Sequence, residues 1–311
     1  MTTVPIPWRT LIASLHGRAY NTTCPLEVKP HGGRALRPDG HYSICNISGM
    51  LHRSECRLIS IGLGDDFYFE DFLSRRGCEV DGFDPTYRLR GGHSGHAMMQ
   101  SKRGQRFRFH FAGLGANPNS SICKVRYVGR VPCSKFADAH NASLRKRRAA
   151  ENDKSRRQTH GRRMAVQTTF AKYGDIAGDR LYPLDVLLRK ASVPESARIN
   201  VLKIDCEGCE WDAFDHLVRV SPQLLARVEQ LVLELHLRVQ FMLTGMAQLE
   251  RLLRHLYLDH GFRVFRSEPS SGFVGALSHT QAPADLIASG FETTRWVAVE
   301  LSLMRPWAGR R

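Results

Sequence analysis

No run of eighteen apolar residues occurs in this 311-residue chain, so no segment reads as a membrane-crossing helix. Acids are scarce beside bases, 30 against 45, which leaves a formal net charge of +15. The opening MTTVPIPWRTLIASLHG has one arginine and a broken apolar stretch, a poor match to a secretory signal. No second Cys-x-x-Cys and no His-x-x-x-His pair joins Cys206 and Cys209, so the usual spacing of a zinc-ligand set is missing. No internal repeat is evident. What remains is the composition of a globular protein, 42% hydrophobic and 24% charged, with enough length for one large domain or two modest ones.

The positive charge is concentrated. Residues 141–163 hold nine Lys/Arg against two acids, so the rest of the chain is only mildly basic. Such a run is read first as a solvated insertion. A nuclear localisation signal, or a contact with nucleic acid or another polyanion, is the sharper alternative. Eight cysteines are scattered along the chain, and no pairing is drawn from their spacing. Four N-x-[ST] sequons stand at Asn21, Asn46, Asn119 and Asn141, among only seven asparagines. The chain as it stands is expected in the cytoplasm. A Golgi or secretory lumen is the expectation if the N-terminus is incomplete.

Three units follow from pattern: an irregular segment 1–54, an α/β domain over 55–305, and a tail 306–311. A basic insertion at about 140–168 interrupts the domain. RLISIG (57–62) reads as a buried strand, followed by a tight GLGDD turn. Tyr68, Phe69, Phe72 and Leu73 share one face of a helix, which Gly77 ends. CEVDGFD (78–84) is a second strand, stopped by Pro85. RFRFHFAGL (106–114), INVLKID (199–205) and QLVLELHL (230–237) read as further strands. Helical faces at Leu184, Leu187 and Leu188, at Trp211, Phe214, Leu217 and Val218, and at Leu249, Leu252, Leu253 and Leu256 lie between or after them. FRVFRS (262–267) and RWVAVELSLM (295–304) close the chain as a hairpin-type pair. Strands alternating with helices predict a doubly wound, mostly parallel sheet with an antiparallel C-terminal strand pair.

In such a sheet, ligands bind outside the carboxyl ends of the strands. Gly62, Gly64, Asp65 and Asp66 follow the first strand, and Asp84 the second. Gly113, Leu114 and Gly115 follow the third, Asp205 and Glu207 the fourth, Glu234 and His236 the fifth. The two glycines allow a sharp turn and close backbone approach. Asp84 stands about twenty residues on, the usual distance of a carboxylate that grips ribose hydroxyls. A nucleoside cofactor fits, either NAD or S-adenosylmethionine. Phe67 fills the third glycine slot of G-x-G-x-x-G, which disfavours a pyrophosphate on the helix start. Asp65 and Asp66 at that start disfavour any anion. They suit S-adenosylmethionine, which carries a sulfonium and an ammonium and no phosphate.

SIGLGDDFYFEDFL, GCEVDGFDPT, FHFAGLG, VLKIDCEGCEWDAF, QLVLELH and WVAVELSL, in this order, resemble the class I S-adenosylmethionine-dependent methyltransferases. The nearest branch is the FkbM-like and eukaryotic methyltransferase-like group with K-I-D-x-E-G-x-E-W. PDGHYSIC (38–45) resembles a segment that precedes the domain in the eukaryotic branch. The resemblance implies a Rossmann-like fold, with Gly62 and Gly64 beside the methionine moiety, Asp84 at the ribose and Asp205 beside the transferable methyl. Ser60 departs from the pattern, because an acid often precedes the first glycine; Asp65 or Asp66 is the expected substitute. The resemblance also implies O-methylation of a sugar or other small polar acceptor, such as a glycan. Asp205, Glu207 and His236 are then the candidate bases; Gly62, Gly64, Asp65, Asp84, Leu114 and Asp205 would line the cofactor. Glu210 is expected to stabilise the start of its own helix, and Trp211 to pack in the core. Two other functions stay open: a nicotinamide-dependent oxidoreductase, and a non-catalytic protein that binds polyanions through 141–163. The Cys206-x-x-Cys209 pair interleaves with the acids, and a redox role would need a βαβ placement and an exposed, reactive thiol.

Overall fold

A computed structural model describes residues 22–30, 42–52, 55–63, 67–85, 106–115, 122–125, 129–132, 181–206, 209–236, 251–269 and 299–305. Gly64, Asp65, Asp66, Glu207, Leu249, the basic insertion and the tail lie outside them. The described chain opens with β1 (Glu27–Val28), β2 (Ile44–Cys45) and a 3₁₀ turn (Ile47–His52). Then come β3 (Arg57–Ile61), α1 (Tyr68–Arg75), β4 (Glu79–Phe83), β5 (Phe107–His110) and β6 (Gly113–Leu114). After β7 (Ile122–Val125), β8 (Gly129–Pro132) and β9 (Leu181–Tyr182) come α2 (Leu184–Lys190), β10 (Ile199–Ile204), α3 (Cys209–Val220) and α4 (Gln223–Ala226). β11 (Val228–Leu235), a π turn (His255–Asp259), β12 (Arg263–Pro269) and β13 (Val299–Met304) complete the fold.

Seven strands make the central sheet in the order β12-β13-β11-β10-β3-β4-β5. The five from β11 to β5 are parallel. β13 runs antiparallel to β11, and β12 antiparallel to β13. The protein is therefore mixed α/β with a mostly parallel sheet, and its last two strands form the expected antiparallel pair. From β3 the chain winds outward to β5, then returns to β10 on the other side of β3. Strand order reverses between β3 and β10, the point at which a sheet of this kind usually takes its ligand, at the carboxyl edge.

Alternation along the strands separates two faces. Ile59, Ile61, Leu202, Ile204, Leu231, Leu233 and Leu235 point to one, under Leu187, Trp211, Phe214 and Leu253. Leu58, Val80, Val201 and Val232 point to the other, under Phe69 and Leu73 of α1 and under Tyr42, Ile44, Met50 and Leu51. Residues 42–52, set apart from the domain in the sequence reading, thus cover part of the sheet. Gln230 of β11 fastens them. Its Oε1 accepts from Cys45 N at 2.7 Å, and its Nε2 donates to Cys45 O at 2.7 Å.

Three details differ from the pattern-based expectation. α1 buries Phe69, Glu70, Leu73 and Ser74, while Tyr68 is exposed. The helix is turned by about one residue, so that Glu70 points inward. The third strand breaks at Phe111 and Ala112; β5 stays in the main sheet and β6 pairs with β9. Disulfides join Cys24–Cys45, Cys56–Cys78 and Cys206–Cys209, where sequence spacing identified no pair. Gly77 and Gly261, with φ of +95° and +69°, end their helical segments as expected. No helix among the described residues is long and apolar enough to cross a membrane.

Candidate functional site

The crevice at the switch point begins with Gly62. Its φ is +77°, and a Cβ there would lie 1.5 Å from the Asp205 carbonyl oxygen. Only glycine lets the turn after β3 pass so close to the end of β10. Gly62 N donates to Phe83 O at 2.9 Å, and Asp205 N to Ile61 O at 2.9 Å. Asp84 is buried beside this turn, and its Oδ2 accepts from Leu63 N at 3.2 Å. Gly62, Asp84 and Asp205 thus meet at one edge. Leu114 packs its side chain into the core cluster.

A polar layer lies under the crevice, on the face that α1 and residues 42–52 cover. Period-two alternation brings Ser60, Lys203, Glu234 and Glu300 to this face. Lys203 is paired with Ser60 in register, and Glu234 with Glu300. Lys203 Nζ donates to Gly62 O at 3.0 Å and lies 3.5 Å from Glu70 Oε1 and 3.9 Å from Asp205 Oδ2. Burial works against its charge, but Glu70, Asp205 and Glu234 outweigh that and raise its pKa. Ser60 Oγ donates to Glu70 Oε1 at 2.5 Å. The inward turn of α1 therefore brings a buried carboxylate to Ser60, the position where the resembling family often has an acid.

Tyr42 closes the layer from above. Its hydroxyl donates to Asp205 Oδ2 at 2.7 Å and contacts Glu234 Oε2 at 3.2 Å. Burial first, then the charges of Asp205, Glu234 and Glu300, push its pKa well above the usual value, so it stays a neutral donor. His236 follows β11. Its backbone N donates to Glu210 Oε1 at 2.7 Å, and its Nδ1 lies 2.9 Å from the same oxygen. Glu210 is fully buried in the first turn of α3, where it was expected, and its side chain also reaches across to the end of β11. Trp211 packs in the core as expected and donates from Nε1 to His236 O at 3.2 Å. His236 Nε2 lies 3.8 Å from Glu234 Oε1. The ligand-capable atoms of Asp205, Glu234 and His236 all lie within 4.8 Å of one another.

Of the sequence candidates, Gly62, Asp84, Asp205 and His236 lie along this edge, while Gly64, Asp65 and Glu207 fall outside the described residues. Tyr42, Glu70 and Lys203 were missed. A lysine in the apolar strand VLKI was the available signal, because a buried cation requires partners. Cys206 and Cys209 form a disulfide between β10 and α3, inside a parallel βαβ unit.

The fold and the edge define a mixed α/β protein with an acid-rich crevice at its switch point. No family model matches the chain. Rat probable methyltransferase-like protein 24 is 24% identical over 216 residues, 68% of this chain and 41% of that protein. The human protein of the same name is 24% identical over 202 residues, 63% of this chain and 38% of that one. The chain thus matches about two fifths of the length of these relatives. A solved structure, methyltransferase FkbM from Methylobacillus flagellatus, aligns with a TM-score of 0.37 at 11% identity, over 82% of this chain and 45% of that one.

Proposed function

We propose that the chain is an S-adenosylmethionine-dependent methyltransferase that methylates a hydroxyl of a sugar or another small polar acceptor. The observation that carries the reading is the meeting of Gly62, Asp84 and Asp205 at the switch point, beside a layer rich in buried carboxylates. Glu70, Asp205 and Glu234 bear on the buried Lys203, and Glu300 adds its charge at Tyr42. Such a donor set fits a cationic ligand. The similarity to methyltransferase-like proteins and the ordered motifs support the same reading, with a Rossmann-like winding as its fold.

Bound S-adenosylmethionine supplies a methyl group activated by a sulfonium. Asp84 would hold its ribose, and Gly62, with Gly64 and Asp65, the backbone turn along its methionine end. Leu114 would contribute its main chain. Asp205 would stand between cofactor and acceptor. The chain's main contribution is alignment, since an in-line displacement gains most from proximity. An acceptor hydroxyl must also lose its proton, and the edge formed by Asp205, Glu234 and His236, with Glu207 in the same motif, is the place for that. Three disulfides and the four sequons support an oxidising, secretory-type compartment.

Isothermal titration with S-adenosylhomocysteine tests the cofactor. Saturable binding that Asp84→Ala weakens at least tenfold is expected. Protection from thermal unfolding by NAD(H), with no response to S-adenosylhomocysteine, would favour the oxidoreductase instead. Labelled S-adenosylmethionine with fractionated glycans, metabolites, proteins and nucleic acids identifies the acceptor class. Transfer to the glycan or small-metabolite fraction is the expected result.

A further inference from the structure

We propose that Asp205, Glu234 and His236 form a binding site for a divalent cation of the Mn²⁺ class at the carboxyl ends of β10 and β11. Two carboxylates and one imidazole make a ligand set of mixed hard and borderline donors, which suits such an ion. Their ligand atoms lie within 4.8 Å of one another. On one octahedral ion with ligands at about 2.1 Å, neighbouring ligands are about 3 Å apart and opposite ones about 4.2 Å, so side-chain rotation brings the three inward onto the ion.

The surroundings of the three residues suit a metal. Glu210, fully buried, holds His236 at Nδ1 and at the backbone N. A carboxylate on one ring nitrogen fixes the imidazole so that the other nitrogen serves as the ligand, the usual support behind a metal-bound histidine. Nε2 is the nitrogen on the side of Glu234 Oε1. Tyr42 holds the carboxylates through Asp205 Oδ2 and Glu234 Oε2, so the Glu234 oxygen near the imidazole is the other one. The local charge points the same way. Lys203 lies nearer to Glu70, at 3.5 Å, than to Asp205, at 3.9 Å. Asp205, Glu234 and Glu300 all bear on Tyr42 with negative charge. A divalent cation offsets this excess, and the carboxylates supply most of its affinity.

A cation there would have a defined use. It would bind an acceptor through a hydroxyl oxygen and make that hydroxyl more acidic. This use rests on the methyl-transfer reading, whereas cation binding itself does not. The test is a titration of chelator-treated protein with Mn²⁺, following the free ion by electron paramagnetic resonance. One Mn²⁺ per chain is expected, with Glu234→Gln and His236→Ala each weakening binding at least tenfold. Circular dichroism without metal shows whether the variants fold; if either does not, Glu234→Asp and His236→Asn replace them with the same expectation. Absence of a saturable site, or variants that bind like the parent chain, overturns the proposal. S-adenosylhomocysteine is titrated into the same samples without metal. Its binding without a Mn²⁺ site sinks the cation site alone; a Mn²⁺ site without its binding sinks the methyl-transfer reading alone.

Discussion

At the scale of single residues, the crevice depends on positions that tolerate no ordinary substitution. Gly62→Ala combines a φ of +77° with a Cβ placed 1.5 Å from the Asp205 carbonyl. The turn after β3 or the end of β10 has to move, so a loss on the order of 3 kcal/mol or more is expected. Urea denaturation measures it, and a loss below about 1 kcal/mol would show that the two turns do not touch. Asp81 gives a test by pH. Burial alone would raise its pKa, but hydrogen bonds from His110 and Arg108, with their charges, outweigh burial and hold it below the ordinary value of an aspartate. Its folded pKa is therefore lower than its unfolded one. The stabilisation is complete at neutral pH and disappears as pH falls from about 5 through the folded pKa. Asp81→Asn should cost about 2 kcal/mol at neutral pH and flatten the acid side of the stability curve. An unchanged slope below pH 5 would assign acid sensitivity to other carboxylates. The place of Asp84, Asp205 and His236 along one sheet edge was legible in the sequence, because each follows an apolar strand segment. Tyr42 was not. It lies 163 positions from Asp205 and 192 from Glu234, and no local pattern spans such distances.

At the scale of elements, pattern located all seven strands of the central sheet and missed how the third was broken and how the first helix was turned. The apolar residues Tyr68, Phe69, Phe72 and Leu73 define a helix, but apolarity alone does not fix its rotation. The Lys203 ammonium and Ser60 hydroxyl need a carboxylate, and Glu70 supplies it when α1 is turned to face them. A buried polar requirement thus overrode the hydrophobic pattern by about one residue. Lys203→Met would leave Glu70 buried without its cation, and a cost of about 3–5 kcal/mol is expected. The double variant Lys203→Met, Glu70→Leu should recover a large part of that. No recovery in the double-mutant cycle would mean that Lys203 acts through Gly62 O alone. Gln230 has a similar role on β11. Gln230→Leu removes both bonds to the Cys45 backbone and should cost about 2–4 kcal/mol. Amide exchange should speed up over residues 42–52 before the central strands respond, and uniform exchange would refute that order.

At the scale of the whole molecule, the central sheet joins five parallel strands to a closing antiparallel pair. That mostly parallel arrangement with its antiparallel pair was open to inference, since strands alternating with helices point to it. The contribution of residues 42–52 was not, because nothing in a Gly- and Pro-rich approach shows which sheet face it will cover. The disulfides were equally hidden, as spacing alone leaves many pairings for eight cysteines. Cys24–Cys45 joins both observations. It closes a separation of 21 residues, and Cys45 lies three residues after Tyr42, on the segment that Gln230 holds. Cross-linking such a loop stabilises by roughly 3 kcal/mol through the unfolded chain. Cys24→Ser should lower the unfolding free energy by about that much while leaving the central sheet intact. It should also loosen Tyr42 over Asp205 and Glu234, so that ligand affinity at the crevice falls although no crevice residue has changed. Cys56–Cys78 supplies the control, because it ties together the residues that precede β3 and β4, away from Tyr42. Replacing Cys78 by Ser should reduce stability and spare affinity. Equal losses of affinity in both variants would show that the disulfides act only through global stability, and that residues 42–52 do not hold the crevice in shape.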